Sequence, residues 1–511
     1  MAAATMTYRP EGRHPTVDDV VGALVAAGFE CAAPYRSTLA VLETFDGRLA
    51  AAGLRLELHD GRELVLSGSE AVPARVTVTA QPRVAGDVPP GPLRRRLAGY
   101  LDVRTLIRLV EVSSLRTAAV KRSRAGKVTS AAAVFDHPVC GGLPVADVVV
   151  SASELTGYPR QAGELRSLLE STGLAAISGG LAELAAATAG ASLDGYAVQP
   201  GVALDPDVPA FEGFRVVLGN LRDAIVANWD GAVAAVDPEF LHDLRVGVRR
   251  TRVILANAKR VIPEDVRGEA RTGFSWLGEI TSSARDLDVY LIEWADYTAP
   301  FDEESRVALE PLHAYLAAQR QRAQQQLARQ LSGERAGRVI EEWSAWLDKP
   351  LDPPAAARRS GKPVASVAAR RIRRAHRVMI DRGRSVTPDT PAETVHELRK
   401  DAKKLRYLIE CFGGLYGQSA QRAFVRPLKR LQNTLGAHQD AEVHAGALRE
   451  LATAPAQTWS TATLLAIGQL VGRLEQVRRD SRAELGDRFA AFDRAKTEAA
   501  LDALLADAAS R

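Results

Sequence analysis

Up to about residue 150 the chain alternates apolar and polar residues in short runs. LRLEL (54–58), ELVLS (63–67) and ARVTVTA (74–80) are separated by Gly, Asp and Pro signals, which predicts strands joined by tight turns. Two stretches follow a helical period instead: TVDDVVGALVAAG (16–28), with Thr16 as its N-cap, and PLRRRLAGYL (92–101), after a Pro-Gly break. From ELRSLLESTGL (164–174) onward strand signals vanish and Ala-, Leu- and Arg-rich helical segments take over. The expected fold is an α+β, mostly antiparallel first part followed by an all-α second part. A Gly/Pro/Asp stretch at 194–213 marks the main boundary, and LDKPLDPPAAARRSGKP (347–363) divides the helical part in two.

Those two helical pieces repeat one another. FLHDLRVGVRRTRVIL (240–255) aligns with TVHELRKDAKKLRYLI (394–409) at an offset of 154 residues, His242 onto His396. The same offset carries Leu277 onto Leu431, Asp286 onto Asp440 and Val289 onto Val443. A shared motif with a shared downstream register indicates a tandem duplication, and hence two packed bundles related by a pseudo-two-fold axis.

On a helix, His242, Arg245, Arg249 and Arg252 fall within roughly 80° of one another, beside an apolar stripe of Leu241, Leu244, Val248 and Leu255. His396, Arg399, Lys403 and Arg406 repeat the arrangement beside Val395, Leu398, Ala402, Leu405 and Ile409. Arg250 and Lys404 widen both cationic surfaces. A basic row bordering a buried face sits at the lip of a groove. A further basic face, Arg370, Arg373, Arg374 and Arg377, precedes the second copy and could line a common channel with these rows. Arginine forks bind phosphate oxygens bidentately, and a polyanion releases many counterions on docking, so a repeated anionic polymer matches better than one small carboxylate. Solvated arginines paired with acids elsewhere are the ordinary alternative.

Composition narrows this picture. With 511 residues, 46% hydrophobic and 25% charged, the chain is a multidomain globular protein able to build cores. Its net charge is only +4, so any basic surface comes from local placement. Arginine outnumbers lysine, which suits phosphate contact but also follows from a GC-rich genome. Cys31, Cys140 and Cys411 lie far apart without a CxxC pair, and there is neither a signal-like N-terminus nor an apolar run of membrane length. The expectation is a cytoplasmic protein without membrane association. His438, Asp440, Glu442 and His444 resemble a metal set, but alternate helical residues diverge, so no metal or other cofactor is expected. Asp286 and Asp440 are instead expected as caps or as arginine partners that orient the basic rows. Few aromatic residues interleave the basic helices, which disfavours nucleic acid.

HDLRVGVRRTR and HELRKDAKKLRY, each followed at the same interval by RDLDV or HQDAEV, resemble the CHAD family, the conserved-histidine α-helical domains, over roughly residues 205–511. The resemblance implies two four-helix bundles (repeats at about 205–346 and 364–511) and binding of inorganic polyphosphate. The implied phosphate-binding residues are His242, Arg245, Arg249, Arg252, His396, Arg399, Lys403 and Arg406. Residues 1–200 look like a CYTH domain, the triphosphate tunnel fold, through LETFDGRLAAAGLRLEL (42–58) and ELTGYPRQAGELRSLLESTGL (154–174). No E-x-E-x-K strand is visible before Thr16; Leu56, Glu57, Leu58 and His59 replace L-R-x-R, and Ala152, Ser153, Glu154 and Leu155 replace E-x-E-L. Metal-assisted hydrolysis needs those charges, so the tunnel is expected to be degenerate. Arg116, Lys121, Arg122 and Arg124 remain as anion candidates or as solvated surface. The leading expectation is a non-enzymatic polyphosphate binder associated with polyphosphate granules. The alternatives are a metal-dependent triphosphatase in the N-terminal part, or a basic helical adaptor for nucleic acid or acidic proteins.

Overall fold

The structure, a computed structural model, describes residues 4–12, 14–68, 71–196, 202–350, 359–387, 389–454 and 458–507. The chain divides into two compact units, Met1–Val198 and Gln199–Arg511.

The first unit is a curled antiparallel sheet. Its strands are β1 (Ala4–Pro10), β2 (Glu30–Cys31), β3 (Tyr35–Thr44), β4 (Leu54–His59), β5 (Glu63–Gly68), β6 (Ala71–Thr77), β7 (Leu106–Arg122), β8 (Val128–Cys140), β9 (Leu143–Pro144), β10 (Val148–Glu154) and β11 (Leu174–Ile177). The order β11-β1-β10-β8-β7-β3-β4-β5-β6 leaves β11 and β6 at the two ends, so the sheet is a half-barrel. Its helices are α1 (Val17–Ala26), α2 (Arg48–Ala51), α3 (Pro92–Leu101), α4 (Pro159–Ser171) and α5 (Leu181–Ala189). Thr16 caps α1 through a reciprocal box: Asp19 N donates to Thr16 Oγ1 at 3.2 Å and Thr16 N donates to Asp19 Oδ2 at 2.9 Å. One expectation is corrected here: β11 pairs with β1 beyond residue 164, so strand structure does not end there. It was obscured because β11 has only four residues. β1 precedes Thr16 and reads ATMTYRP, a strand without the E-x-E-x-K residues.

The period-2 pattern decides which face each helix covers. Ala40, Leu42, Leu54, Leu56 and Leu58 pack under α3, and Val134, Val148 and Val150 pack under α1 and α4. Val41, Val110, Val112 and Val149 point to the other face, where Leu181, Ala182, Ala185 and Ala186 of α5 cover them. Glu43 is buried and accepts hydrogen bonds from Leu49 N (3.0 Å) and Ala50 N (2.7 Å), which holds the short α2 in place. Gly47 next to it has φ +70°, and a Cβ there would stand 1.8 Å from Asp194 O.

The second unit is all helical among the described residues: α6 (Ala210–Ala227), α7 (Trp229–Val233), α8 (Pro238–Asn257), α9 (Glu264–Ile280), α10 (Ser282–Ile292), α11 (Trp294–Thr298), α12 (Glu303–Leu331), α13 (Glu334–Asp348), α14 (Val364–Arg384), α15 (Ala392–Cys411), α16 (Gln418–Thr453), α17 (Thr461–Phe492) and α18 (Ala495–Asp507). Residues 351–358 of the expected internal break lie outside the described residues. α8 and α15 are both 20 residues long and start 154 residues apart. α9 and α10, broken at Thr281, correspond to the first part of the unbroken α16.

The repeats meet through a reciprocal pair of backbone bonds. Ala210 N donates to Lys362 O at 2.7 Å and Val364 N donates to Val208 O at 2.9 Å. The repeat offset converts the first bond into the second, which is what a local two-fold relation requires. Gly213 lets α6 cross α14 at this point, since a Cβ there would come within 2.5 Å of Val364 Cγ2.

Candidate functional site

α8 starts behind Asp237, whose carboxylate accepts from Glu239 N and Phe240 N, with Pro238 in the first helical position. The apolar stripes of α8 and α15 are fully buried, from Leu241 to Leu255 and from Val395 to Ile409. The cationic stripes beside them are therefore held against protein, partly shielded from water.

The cations of both repeats reach one cavity of about 940 Å³. Arg249 and Arg252 of α8 line it together with Lys403 and Lys404 of α15. Arg271 of α9, Arg335 of α13 and Lys400 of α15 add to its walls, so seven cations line it beside a single lining carboxylate, Glu279, with Lys400 also paired to Glu397 at 2.7 Å. The crowding has an electrostatic signature. Burial, followed by the charges of Arg399 and Arg249, pushes the Lys403 ammonium down to about 8, although Asp440 opposes the shift. Burial and then Arg249 likewise lower Arg245 to about 10. Both aromatic rings in the walls are occupied by guanidiniums. Arg335 lies 4.2 Å from the Trp276 ring centre, while Arg250 and Arg406 lie 5.8 and 5.4 Å from that of Tyr407.

The remaining stripe residues hold the framework. Arg399 Nη2 donates to Asp440 Oδ1 at 2.9 Å. Arg245 instead donates to Thr281 Oγ1 (2.8 Å), Ser282 Oγ (3.1 Å) and Gly278 O (3.2 Å) at the α9/α10 break. Asp286 acts on Arg245 through its charge, and its own carboxyl is raised by desolvation despite that neighbour. Glu410 clamps two cations: Arg250 Nη2 donates to it at 2.6 Å across the repeats, and Arg406 Nε lies 3.4 Å away. Arg249 Nη1 donates to Tyr407 Oη at 3.2 Å, tying α8 to α15. His242 and His396 occupy corresponding positions outside the cavity walls, with His396 Nδ1 2.8 Å from Gln439 Oε1.

Arg370, Arg373 and Arg377 are exposed on α14 and do not line this cavity, contrary to the common channel expected for them. Ala368, Ile372, Ala375 and Met379 take the buried side of α14 and turn the arginines outward. Arg373 pairs with Asp502 at 2.9 Å. Of the histidines in the metal-like stretch, His438 Nδ1 lies 3.2 Å from Arg478 O and His444 Nδ1 lies 3.0 Å from Tyr297 Oη. Among the described residues no group of three or more His, Cys, Asp or Glu is placed to hold a metal ion, and no helix is long and apolar enough to cross a membrane.

Arg271, Arg335, Lys400 and Trp276 were not marked by the sequence. At the repeat offset, Val425 and Val246 stand in the positions of Arg271 and Lys400, so a search for repeated cations passes over them.

In the first unit the charges a triphosphate tunnel needs are dispersed. Alternate residues of β1 are Thr5, Thr7 and Arg9. On β4, Arg55 pairs with Glu183 of α5 at 2.5 Å and His59 with Glu57 at 3.1 Å, on the face that α5 covers. Arg116 and Lys121 project from opposite faces of β7, Arg116 against Tyr35 and Lys121 over Phe29, while Arg122 meets Glu30 at 3.4 Å.

The curled antiparallel sheet of the first unit is consistent with a CYTH-like tunnel domain. None of the curated proteins compared matches the chain. Among solved structures, the crystal structure of the CHAD domain from the plant Ricinus communis is similar at 28% identity and a TM-score of 0.44, covering 59% of this chain and 95% of that one. PptA from Streptomyces chartreusis is similar at 18% identity and a TM-score of 0.43, covering 55% of this chain and 99% of that one. The family model of the CHAD domain matches residues 216–449, a span that holds both basic helices and their downstream aspartates, and the helical part of this chain carries a CHAD domain.

Proposed function

We propose that the helical unit binds inorganic polyphosphate in the cavity between α8 and α15, without chemical turnover, and that such binding places the protein at polyphosphate granules. The observation that carries this reading is the convergence of seven cations on one open cavity with a single carboxylate. A site so unbalanced is complementary to a run of phosphates, each able to take a guanidinium fork or an ammonium. Its volume is near the upper end of the roughly 300–1,000 Å³ common for small-molecule sites. A chain of phosphates fills such a space better than one ion. The occupied faces of Trp276 and Tyr407 favour an anion without bases over nucleic acid.

For the first unit, α5 and its apolar partners cover the sheet face on which hydrolysis would need charge, which supports a non-catalytic role. The test is binding of long-chain polyphosphate, DNA and heparin over a salt series. Tighter binding of polyphosphate than of the other two polymers, reduced in Arg252→Ala/Lys404→Ala, is expected. Equal affinity for all three polymers would refute a dedicated polyphosphate site.

A further inference from the structure

Outside the cavity walls, α14 takes part in a second concentration of charge. Arg371 is half-buried, and its Nη2 donates to Lys259 O at 2.7 Å, just past the end of α8, while its Nε is buried without an acceptor. Arg359, Arg374, Arg370 and Arg260 surround it closely enough that, after burial, their charges depress its pKa. The charges acting on Arg359 are again arginines: Arg370, Arg260 and Arg374. The backbone assembles the group. Arg260 has φ +67° in the turn after α8, and Arg359 N donates to Arg260 O at 2.9 Å.

The rest of α14 shows what is unusual here. Arg373 pairs with Asp502, Arg382 with Asp401 and Arg384 with Asp493, each within 2.9 Å. None of the five clustered arginines forms an ion pair with a carboxylate among the described residues. Mutual repulsion of this kind costs stability unless an anion relieves it.

We propose that Arg260, Arg359, Arg370, Arg371 and Arg374 form a second docking site for the phosphates of a polyphosphate chain, so that chains long enough to engage both this cluster and the cavity bind more tightly than short ones. The inference rests on the polyphosphate reading of the cavity. A second foothold on the same polymer acts through effective concentration and needs no new contact in the first.

The experiment measures affinity of the full chain for long-chain polyphosphate and for tripolyphosphate over a salt series. Arg370→Ala/Arg374→Ala is compared with Arg373→Ala/Arg384→Ala, which removes the same charge from the same helix. Both pairs are exposed, and matching unfolding transitions verify the fold. The first pair is expected to lose at least about tenfold in long-chain affinity. Its salt slope should fall by about 1.4, roughly 0.7 per phosphate released, and its preference for long chains over tripolyphosphate should narrow. Equal losses in both pairs, or none in the first, would overturn the second site. If Arg252→Ala/Lys404→Ala then still weakens binding, the cavity reading survives; if the unaltered protein binds no polyphosphate, both readings fall.

Discussion

Lys403 carries a cost that the protein would lose by mutation. In the folded state its ammonium is pushed from an ordinary 10.5 to about 8, first by burial and then by Arg399 and Arg249. At about 1.4 kcal/mol per tenfold, that displacement corresponds to roughly 3 kcal/mol as an upper figure, since the side chain keeps some solvent contact. The folded state holds fewer protons than the unfolded state between pH 8 and 10.5, so the penalty is full below pH 8 and fades as pH rises to 10.5. Lys403→Met keeps much of the packing and removes the charge. It should stabilise the free protein at pH 7 by about 1–3 kcal/mol in urea unfolding, with the gain shrinking above pH 8. A bound phosphate favours the charged form, so the unaltered protein at pH 8 should take up about half a proton on binding, and Lys403→Met should lack that share. Calorimetry in two buffers of different ionisation enthalpy reads the uptake. Destabilisation at pH 7, or identical proton uptake in the two proteins, would refute the account of Lys403.

Three further outcomes follow from particular contacts. Glu410→Gln leaves Arg250 and Arg406 without their shared anion in a largely buried clamp, and should cost about 3 kcal/mol or more in urea unfolding; a loss under about 1 kcal/mol would show the clamp to be dispensable. Gly47→Ala forces a Cβ against Asp194 O at a positive φ and should lower the stability of the first unit by more than about 1 kcal/mol, read by thermal unfolding followed in the β-sheet signal. Incubation of the full chain with tripolyphosphate and magnesium or manganese should release no phosphate above background, and metal-dependent turnover would reinstate a catalytic tunnel.

The parts of this architecture that were legible in the sequence are those where one period governs a whole element. Leu54, Leu56 and Leu58 alternate and do form the buried side of β4, and Thr16 with Asp19 does cap α1. The histidine-arginine stripes were legible because a duplication printed them twice. The site itself was less so. Arg250 and Arg406 share the chemistry of Arg252 and Lys404, yet Glu410 claims the first two: Arg406 lies one helical turn from it on α15, whereas only the approach of α8 to α15 reveals its hold on Arg250. Arg245 and Arg399 occupy equivalent positions but find different partners, because α9 breaks at Thr281 whereas α16 runs on past Asp440. Arg271 and Arg335 enter the cavity from helices with no matching cation in the other repeat, so internal symmetry hides them. α14 shows the same limit: its arginines follow a helical period, but which are neutralised depends on Asp401 of α15, Asp493 at the end of α17 and Asp502 of α18, all later in the chain.

The central claim is that cations from both repeats hold one polyphosphate chain. It is tested most directly by measuring long-chain polyphosphate affinity against salt for Arg252→Ala, which alters the first repeat, and Lys404→Ala, which alters the second. Each single change is predicted to weaken binding and to lower the salt slope by about 0.7, the share of one phosphate contact. A slope that responds to one repeat only, or to neither, would contradict a shared site.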